Sequence, residues 1–240
     1  MTATLPLTDA WHVRPTEPFG TKLTPAQWAK ARELGVLQTY LTGRPITEQG
    51  NDGAAVFIVN HGLVKATTTT PRGTKAMNML YGPGDLFGTE ALAGVPRAES
   101  TTSLDLAEVL LLNVGDFLGV LSGYPQLIRA LHRDEIQRRI IADRRRAAMA
   151  NSSGSERLAL TLISLRYAFA PANTNYGPLT IPLSQDELSE LAGTHRNTTV
   201  SALTTFRRIG ALRTRRGAIT LIDTQKLLPY VTKTSDELPI

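Results

Sequence analysis

The stretch LSQDELSELAGTHRNTTVSALTTFRRIGAL, Leu183 to Leu212, decides how this chain is read: it spells two short helices joined by a glycine turn and followed by arginines. Ser184 is placed to cap the orphan amides of the first helix, and Glu187 three residues later completes an S-x-x-E capping box. Leu188, Leu191 and Ala192 then share one buried face. Gly193 ends this helix where a left-handed residue is needed, and Thr194 is the expected cap of the next one. By 3.6-residue spacing the second helix buries Thr199, Ala202, Leu203 and Phe206 and turns Arg196, Asn197, Val200, Ser201 and Thr204 outward.

That outward face suits the edges of DNA bases. Arginine donates two hydrogen bonds to guanine and asparagine pairs in bidentate fashion with adenine, so Arg196 and Asn197 at a helix start suit the major groove, with Val200 and Ser201 beside them. Phosphate contacts are expected from Ser184, Gln185, Thr194, His195 and Thr198 near the helix starts. Arg207, Arg213, Arg215 and Arg216 would add to them, in a stretch from Phe206 to Ile222 that holds no acidic residue. His195 reads equally well as a plain helix-start residue. RTRRGAITLI reads as a hairpin turning near Gly217 with a return strand over Ala218 to Ile222, a wing beside the helices. The bland alternative is a helical hairpin with a solvated basic flank. Cap, turn, buried face and basic flank agreeing in one segment argue against it.

With 240 residues, 42% of them hydrophobic, the chain has enough apolar material for a substantial core and two domains. Its formal charge of +5 favours an anionic partner only weakly. The absence of cysteine excludes a disulfide framework, thiolate zinc and cysteine-held iron–sulfur clusters. The chain has no apolar run of membrane-spanning length and no signal pattern at its start, so the expected address is the cytoplasm, with no membrane partner.

A proline-rich lead-in precedes a short helix expected over Ala26 to Leu34, in which Trp28 is a packing residue. From about Ile46 to Leu112 the runs AAVFIVNHG, LVKATTTT, KAMNMLY and AEVLLLNV read as short strands of a sandwich, jelly roll or barrel. Asp116 to Ala150 is helical and charged, and NSSGSE at Asn151 to Glu156 reads as a hinge. The expected organisation is α+β: a β-roll sensor domain with its lead-in over 1–115, a dimerisation helix over 116–150 and a winged helix-turn-helix over 151–240. A catalytic reading fares poorly. A cupin-type enzyme clusters its histidines on barrel strands, whereas His12, His61, His132 and His195 are scattered one per region. The chain lacks a phosphate-loop, nucleophile-elbow or H-E-x-x-H motif, so no catalytic or metal-ligating set is assigned. GPGDLFG at Gly82 to Gly88 lacks the lysine of a phosphate loop and reads as a β-turn.

Taken in order, VFIVNHGLVKA (Val56 to Ala66), YGPGDLFG (Tyr81 to Gly88), ALAGVPRAEST (Ala91 to Thr101) and SQDELSELAGTHRNTTVSAL make the chain resemble the CRP/FNR family of bacterial transcription regulators over nearly its whole length. The resemblance implies a cyclic-nucleotide-binding type β-roll, a long helix pairing in a homodimer, and a winged helix-turn-helix on a palindromic operator in double-stranded DNA. It makes cAMP a candidate effector and RNA polymerase a candidate partner, through the loop PANTNYG at Pro171 to Gly177. In cAMP-binding members a Gly-Glu pair opens the phosphate cassette, its glutamate holding the ribose, and a later Arg-Ser or Arg-Ala binds the phosphate. Here Gly88 is followed by Thr89, with Glu90 one place late, while Arg97 and Ala98 fill the Arg-Ala position. On a strand that shift would turn Glu90 to the other face, unless a turn absorbs it. Glu99 is a further carboxylate available to pair with Arg97. Ala142 and Asp143 stand where the family carries an adenine-touching Thr-Ser pair. Glutamate and a later arginine of the family's recognition helix are replaced here by Asn197 and Ser201, which implies an operator unlike TGTGA. Along the long helix Ile128, Leu131, Ala142 and Met149 lie at near-heptad spacing, interrupted by Glu135, Arg139 and Arg146. Either those charges pair across the dimer axis or a rotated face led by Ile136 and Ile140 makes the contact.

Overall fold

The computed structural model of the protein describes residues 17–170 and 177–232. A short 3-10 turn over Phe19–Lys22 leads into α1 (Pro25–Leu34), which Thr24 and Gln27 close with a reciprocal capping box. Trp28 donates its indole N–H to the Gly20 carbonyl at 3.0 Å, which anchors α1 to the preceding turn. Eight strands follow: β1 (Val36–Tyr40), β2 (Pro45–Thr47), β3 (Ala55–His61), β4 (Val64–Thr69), β5 (Lys75–Tyr81), β6 (Leu86–Phe87), β7 (Ser100–Ser103) and β8 (Ala107–Asn113). They form two antiparallel four-stranded sheets, ordered β1-β8-β3-β6 and β2-β7-β4-β5.

The near-continuous apolar run of β3 follows from burial of both its faces. Phe57 and Val59 join Val64, Ala66, Met79 and Tyr81 of the opposite sheet in the core between the sheets. Val56 and Ile58 point the other way, onto Phe19, Phe117 and Leu127. GPGDLFG is the expected turn: the Gly82 amide donates to the Asp85 carboxylate at 2.7 Å, and Gly84 takes a φ of +85°.

The segment expected as one dimerisation helix over 116–150 is two helices, α2 (Val114–Ser122) and α3 (Pro125–Asn151), broken at Gly123 ahead of the proline. Phe117, Val120 and Leu121 bury one face of α2 in the β-roll core. Beyond Asn151 the expected hinge is a break of two residues, Ser152 and Ser153. Ser153 caps α4 (Gly154–Phe169) with its own capping box to Glu156. Packing divides the chain into two compact units, one ending at Arg139 and one beginning at Ile140, so the division falls inside α3 and not at the Asn151 composition break.

The second unit continues with β9 (Leu179–Ile181), α5 (Gln185–Ala192), α6 (Arg196–Arg208), β10 (Leu212–Arg215), β11 (Ala218–Leu221) and α7 (Pro229–Thr232). β9, β10 and β11 form one antiparallel sheet, with β11 in the middle. The fold is therefore α+β: a β-roll, a long helix and a winged helix-turn-helix. Among the described residues, no helix is long and apolar enough to cross a membrane.

Candidate nucleic-acid interface and effector cassette

Local chemistry sets the helix-turn-helix. The Ser184 hydroxyl accepts from the Glu187 amide at 3.2 Å, and the Glu187 carboxylate accepts from the Ser184 amide at 2.9 Å. With its hydroxyl committed to the cap, Ser184 is a structural residue of this site first. Gly193 ends α5 in the left-handed region, at φ +60°. The N-cap of α6 falls on His195, without a side-chain capping bond, and not on Thr194 as the sequence suggests. Thr194 is diverted because its hydroxyl is hydrogen-bonded to that of buried Thr199 at 2.6 Å, across the turn.

On α6, Thr199, Ala202, Leu203 and Phe206 are buried as expected, and Arg196, Asn197, Val200, Ser201 and Thr204 are exposed together. Thr198 is half-buried, its methyl turned to the start of α4, where a Cβ on Gly154 would come within 2.8 Å. Gln185 is half-buried in the first turn of α5 and His195 is exposed. Arg213, Arg215 and Arg216 are exposed on the β10–β11 hairpin, which turns at Gly217 with φ +70°. Arg207 ties α6 to this wing, donating to the hydroxyls of Thr204 at 3.0 Å and Thr214 at 3.3 Å. The surface so made is cationic, and Asn197 and Ser201 add neutral hydrogen-bonding groups, the combination that base and phosphate contacts require.

Two residues of this site escape the sequence reading. Arg157 on α4 donates to the carbonyls of Ala192 at 3.3 Å and Gly193 at 2.8 Å, satisfying the C-terminal end of α5 where a cation is favoured. Asp186 on α5 accepts from the Arg196 Nε at 2.6 Å. Neither pairing follows helical spacing within one element, so the sequence carries no signal for it.

In the β-roll, Gly88 is left-handed at φ +76° and opens a 3-10 turn over Thr89–Ala93. That turn absorbs the late position of Glu90. One Glu90 carboxylate oxygen accepts from the Ala98 amide at 3.1 Å, and the other lies 3.9 Å from the Arg97 guanidinium. Arg97 is buried and donates to the carbonyls of Gly88 and Ala55, each at 2.6 Å. Its guanidinium lies 5.4 Å from the Phe57 ring centre and closes against Gly53, where an added Cβ would clash with it. A cleft of about 450 Å³ beside Arg97 is lined also by Glu48, Asp52 and Phe57. Thr89 donates to Glu135 of α3 at 2.9 Å. Glu99 does not pair with Arg97: it accepts from the Tyr81 hydroxyl at 2.6 Å. Ala142 and Asp143 are exposed on α3, where Asp143 lies 3.2 Å from Arg146. The loop considered for RNA polymerase lies outside the described residues except for Gly177, whose carbonyl accepts from Arg166 at 2.6 Å. His12 also lies outside them.

Burial raises the Glu99 carboxyl above its ordinary value of 4.5, with the Tyr81 hydrogen bond opposing the shift. A carboxyl with a raised folded value costs nothing at a pH below the unfolded value and destabilises the fold as the pH climbs through the folded value. Glu99→Gln, which keeps an acceptor for Tyr81, is therefore expected to match the parent in acid and to exceed its denaturant midpoint at neutral pH and above. Equal midpoints across that range would contradict the assignment.

A cyclic nucleotide-binding domain family matches residues 37–124, and a Crp-like helix-turn-helix domain family matches residues 156–230. The chain is 29% identical over 181 residues to the cyclic AMP receptor protein of Thermus thermophilus, a match covering 75% of this chain and 81% of that one. It is 23% identical over 186 residues to a CRP-like cAMP-activated global transcriptional regulator of Mycobacterium tuberculosis, covering 77% and 83%. Among solved structures, FixK2 from Bradyrhizobium japonicum shares the fold with a TM-score of 0.71 at 20% identity, over 82% of this chain and 96% of that one.

Proposed function

The chain belongs to the CRP/FNR family and is a DNA-binding transcription regulator, and from that premise we propose that it reads a palindromic operator as a homodimer, without a cyclic nucleotide in its β-roll. The observation that carries the DNA reading is the outward face of α6, where Arg196, Asn197, Val200 and Ser201 are exposed together at its N-terminal end. Arg196 retains a guanine in each half-site, and Asn197 shifts the neighbouring preference toward adenine, where a glutamate would accept from cytosine. Gln185, His195, Arg207, Arg213, Arg215 and Arg216 supply phosphate contacts, with Thr194 and Thr198 contributing more to packing. Two recognition helices about 34 Å apart meet successive turns of one face of the duplex.

Four hydrogen bonds argue against a cyclic nucleotide in the cassette. Both terminal nitrogens of Arg97 already donate to backbone carbonyls, the Ala98 amide is taken by the Glu90 carboxylate, and Thr89 is turned to Glu135. An anionic phosphate at that place would meet the Glu90 carboxylate and the nearby Glu99. The relatives named as cAMP proteins keep a cAMP effector in view, so the nucleotide is part of the test. We assign the chain no catalytic role, in keeping with relatives that are regulators, and place it in the cytoplasm with its DNA. RNA polymerase enters as a partner by family likeness alone.

Selection of bound sequences from random duplex DNA, with and without cAMP, tests these readings. A palindrome enriched equally in both conditions is expected. Enrichment only with cAMP would overturn the nucleotide-free reading, and failure to enrich any palindrome would overturn the operator reading. In the same assay Arg196→Ala is expected to lose about 1–3 kcal/mol of operator affinity and its preference at one position of each half-site.

A further inference from the structure

We propose that Asp186 is a positioning residue that sets the aim of Arg196, and so helps determine operator specificity; this rests on Arg196 being the guanine reader. Asp186 is the second residue of α5 and Arg196 the first of α6, so the pair bridges the two helices of the motif. One Asp186 carboxylate oxygen accepts from the Arg196 Nε at 2.6 Å, although both side chains are about two-thirds exposed.

The choice of nitrogen matters. With Nε engaged, the two terminal nitrogens stay free, and these can donate end-on to the O6 and N7 of one guanine. An arginine that reaches the groove unrestrained must lose several rotamers on binding, whereas one held through Nε has lost part of that freedom beforehand. The charge points the same way. A carboxylate beside the reading residue repels the phosphate backbone and weakens binding to any sequence. Asp186 thus lowers general affinity while holding the group that discriminates, which is the signature of a specificity residue. A carboxylate in the first turn of α5 also favours the helix dipole. That role needs no contact with Arg196, and it is what the test must separate.

The experiment measures the guanine preference at the position that Arg196→Ala relaxes, by competition between the selected operator and its single-base variants. It uses the full-length protein carrying Asp186→Ala, Asp186→Asn, Arg196→Ala or the Asp186→Ala/Arg196→Ala pair, each checked for an unchanged unfolding midpoint. Asp186→Ala is expected to reduce the preference at that position at least fivefold and to tighten binding to random DNA. Asp186→Asn, which keeps an acceptor oxygen, should retain part of the preference, and adding Asp186→Ala to Arg196→Ala should not change it further. A uniform gain in affinity with the preference intact would reduce Asp186 to a repulsive charge and overturn the proposal. An unchanged preference in Arg196→Ala would overturn the reading of Arg196 itself, and the role of Asp186 with it.

Discussion

Replacing Arg138 with alanine is expected to lower the stability of the β-roll by about 3–5 kcal/mol, the cost of leaving a buried charge without its partner. Arg138 on α3 donates from Nε to the Asp134 carboxylate at 2.7 Å and from a terminal nitrogen to the Leu86 carbonyl at 2.6 Å. Its guanidinium lies 4.8 Å from the centre of the Tyr81 ring. Asp134 is 1% exposed, and its second carboxylate oxygen is buried without a hydrogen bond among the described residues, so the arginine is its main compensation. Truncation to alanine strands Asp134, orphans the Leu86 carbonyl and strips a cation from the face of Tyr81. The partner substitution separates charge from packing. In Arg138→Met/Asp134→Leu both charges leave together and apolar volume remains, so most of the lost stability should return. Denaturant unfolding followed by circular dichroism and tryptophan fluorescence reads both variants. A loss below about 1 kcal/mol for Arg138→Ala would show that Asp134 is compensated some other way.

Arg138 also marks how far the sequence could be read. The helix-turn-helix was legible because its determinants are local: the Ser184 box, the Gly193 turn and the buried face of α6 each lie within a few residues, and helical spacing orders them. The strands around Val56 to Leu112 were legible as strands for the same reason. Their order was not, because pairing β3 with β8 across more than forty residues is a tertiary choice that no alternation encodes. β1 gave no signal, since Val36 and Leu37 are exposed and its burial does not alternate. At the sites, the exposed reading face followed from period alone, whereas Asp186–Arg196, Arg157 on the end of α5 and Glu90 on the Ala98 amide join separate elements. Thr194 was misread because a hydroxyl beside a helix start has two outlets, the cap and a neighbouring side chain, and buried Thr199 supplied the second.

Substituting glutamate for both Ile136 and Ile140 is expected to convert the protein to a monomer and to weaken operator binding more than about a hundredfold. The 27-residue α3 carries four large exposed apolar side chains, Ile128, Ile136, Ile140 and Met149, each at least 40% exposed in the single chain. Leu131, which sequence spacing placed in the seam, packs against the β-roll core instead, so the near-heptad set is broken. The four-residue spacing puts Ile136 and Ile140 side by side on the rotated face that the sequence offered as its alternative, with Ile128 at its margin. Burying one isoleucine is worth about 1.5–3 kcal/mol. A symmetric seam buries each position twice, so the double substitution removes four such contributions and sets four like charges near a two-fold axis. Glutamate is a good helix former, so α3 itself should persist and circular dichroism should be unchanged. Each half-site contact would then act alone, without the effective concentration that a paired copy supplies. Sedimentation velocity reports the assembly and mobility-shift titration the affinity. A double variant that remains dimeric with full operator affinity would remove α3 from the interface, whereas one that becomes monomeric yet binds undiminished would show that the operator is read one half-site at a time.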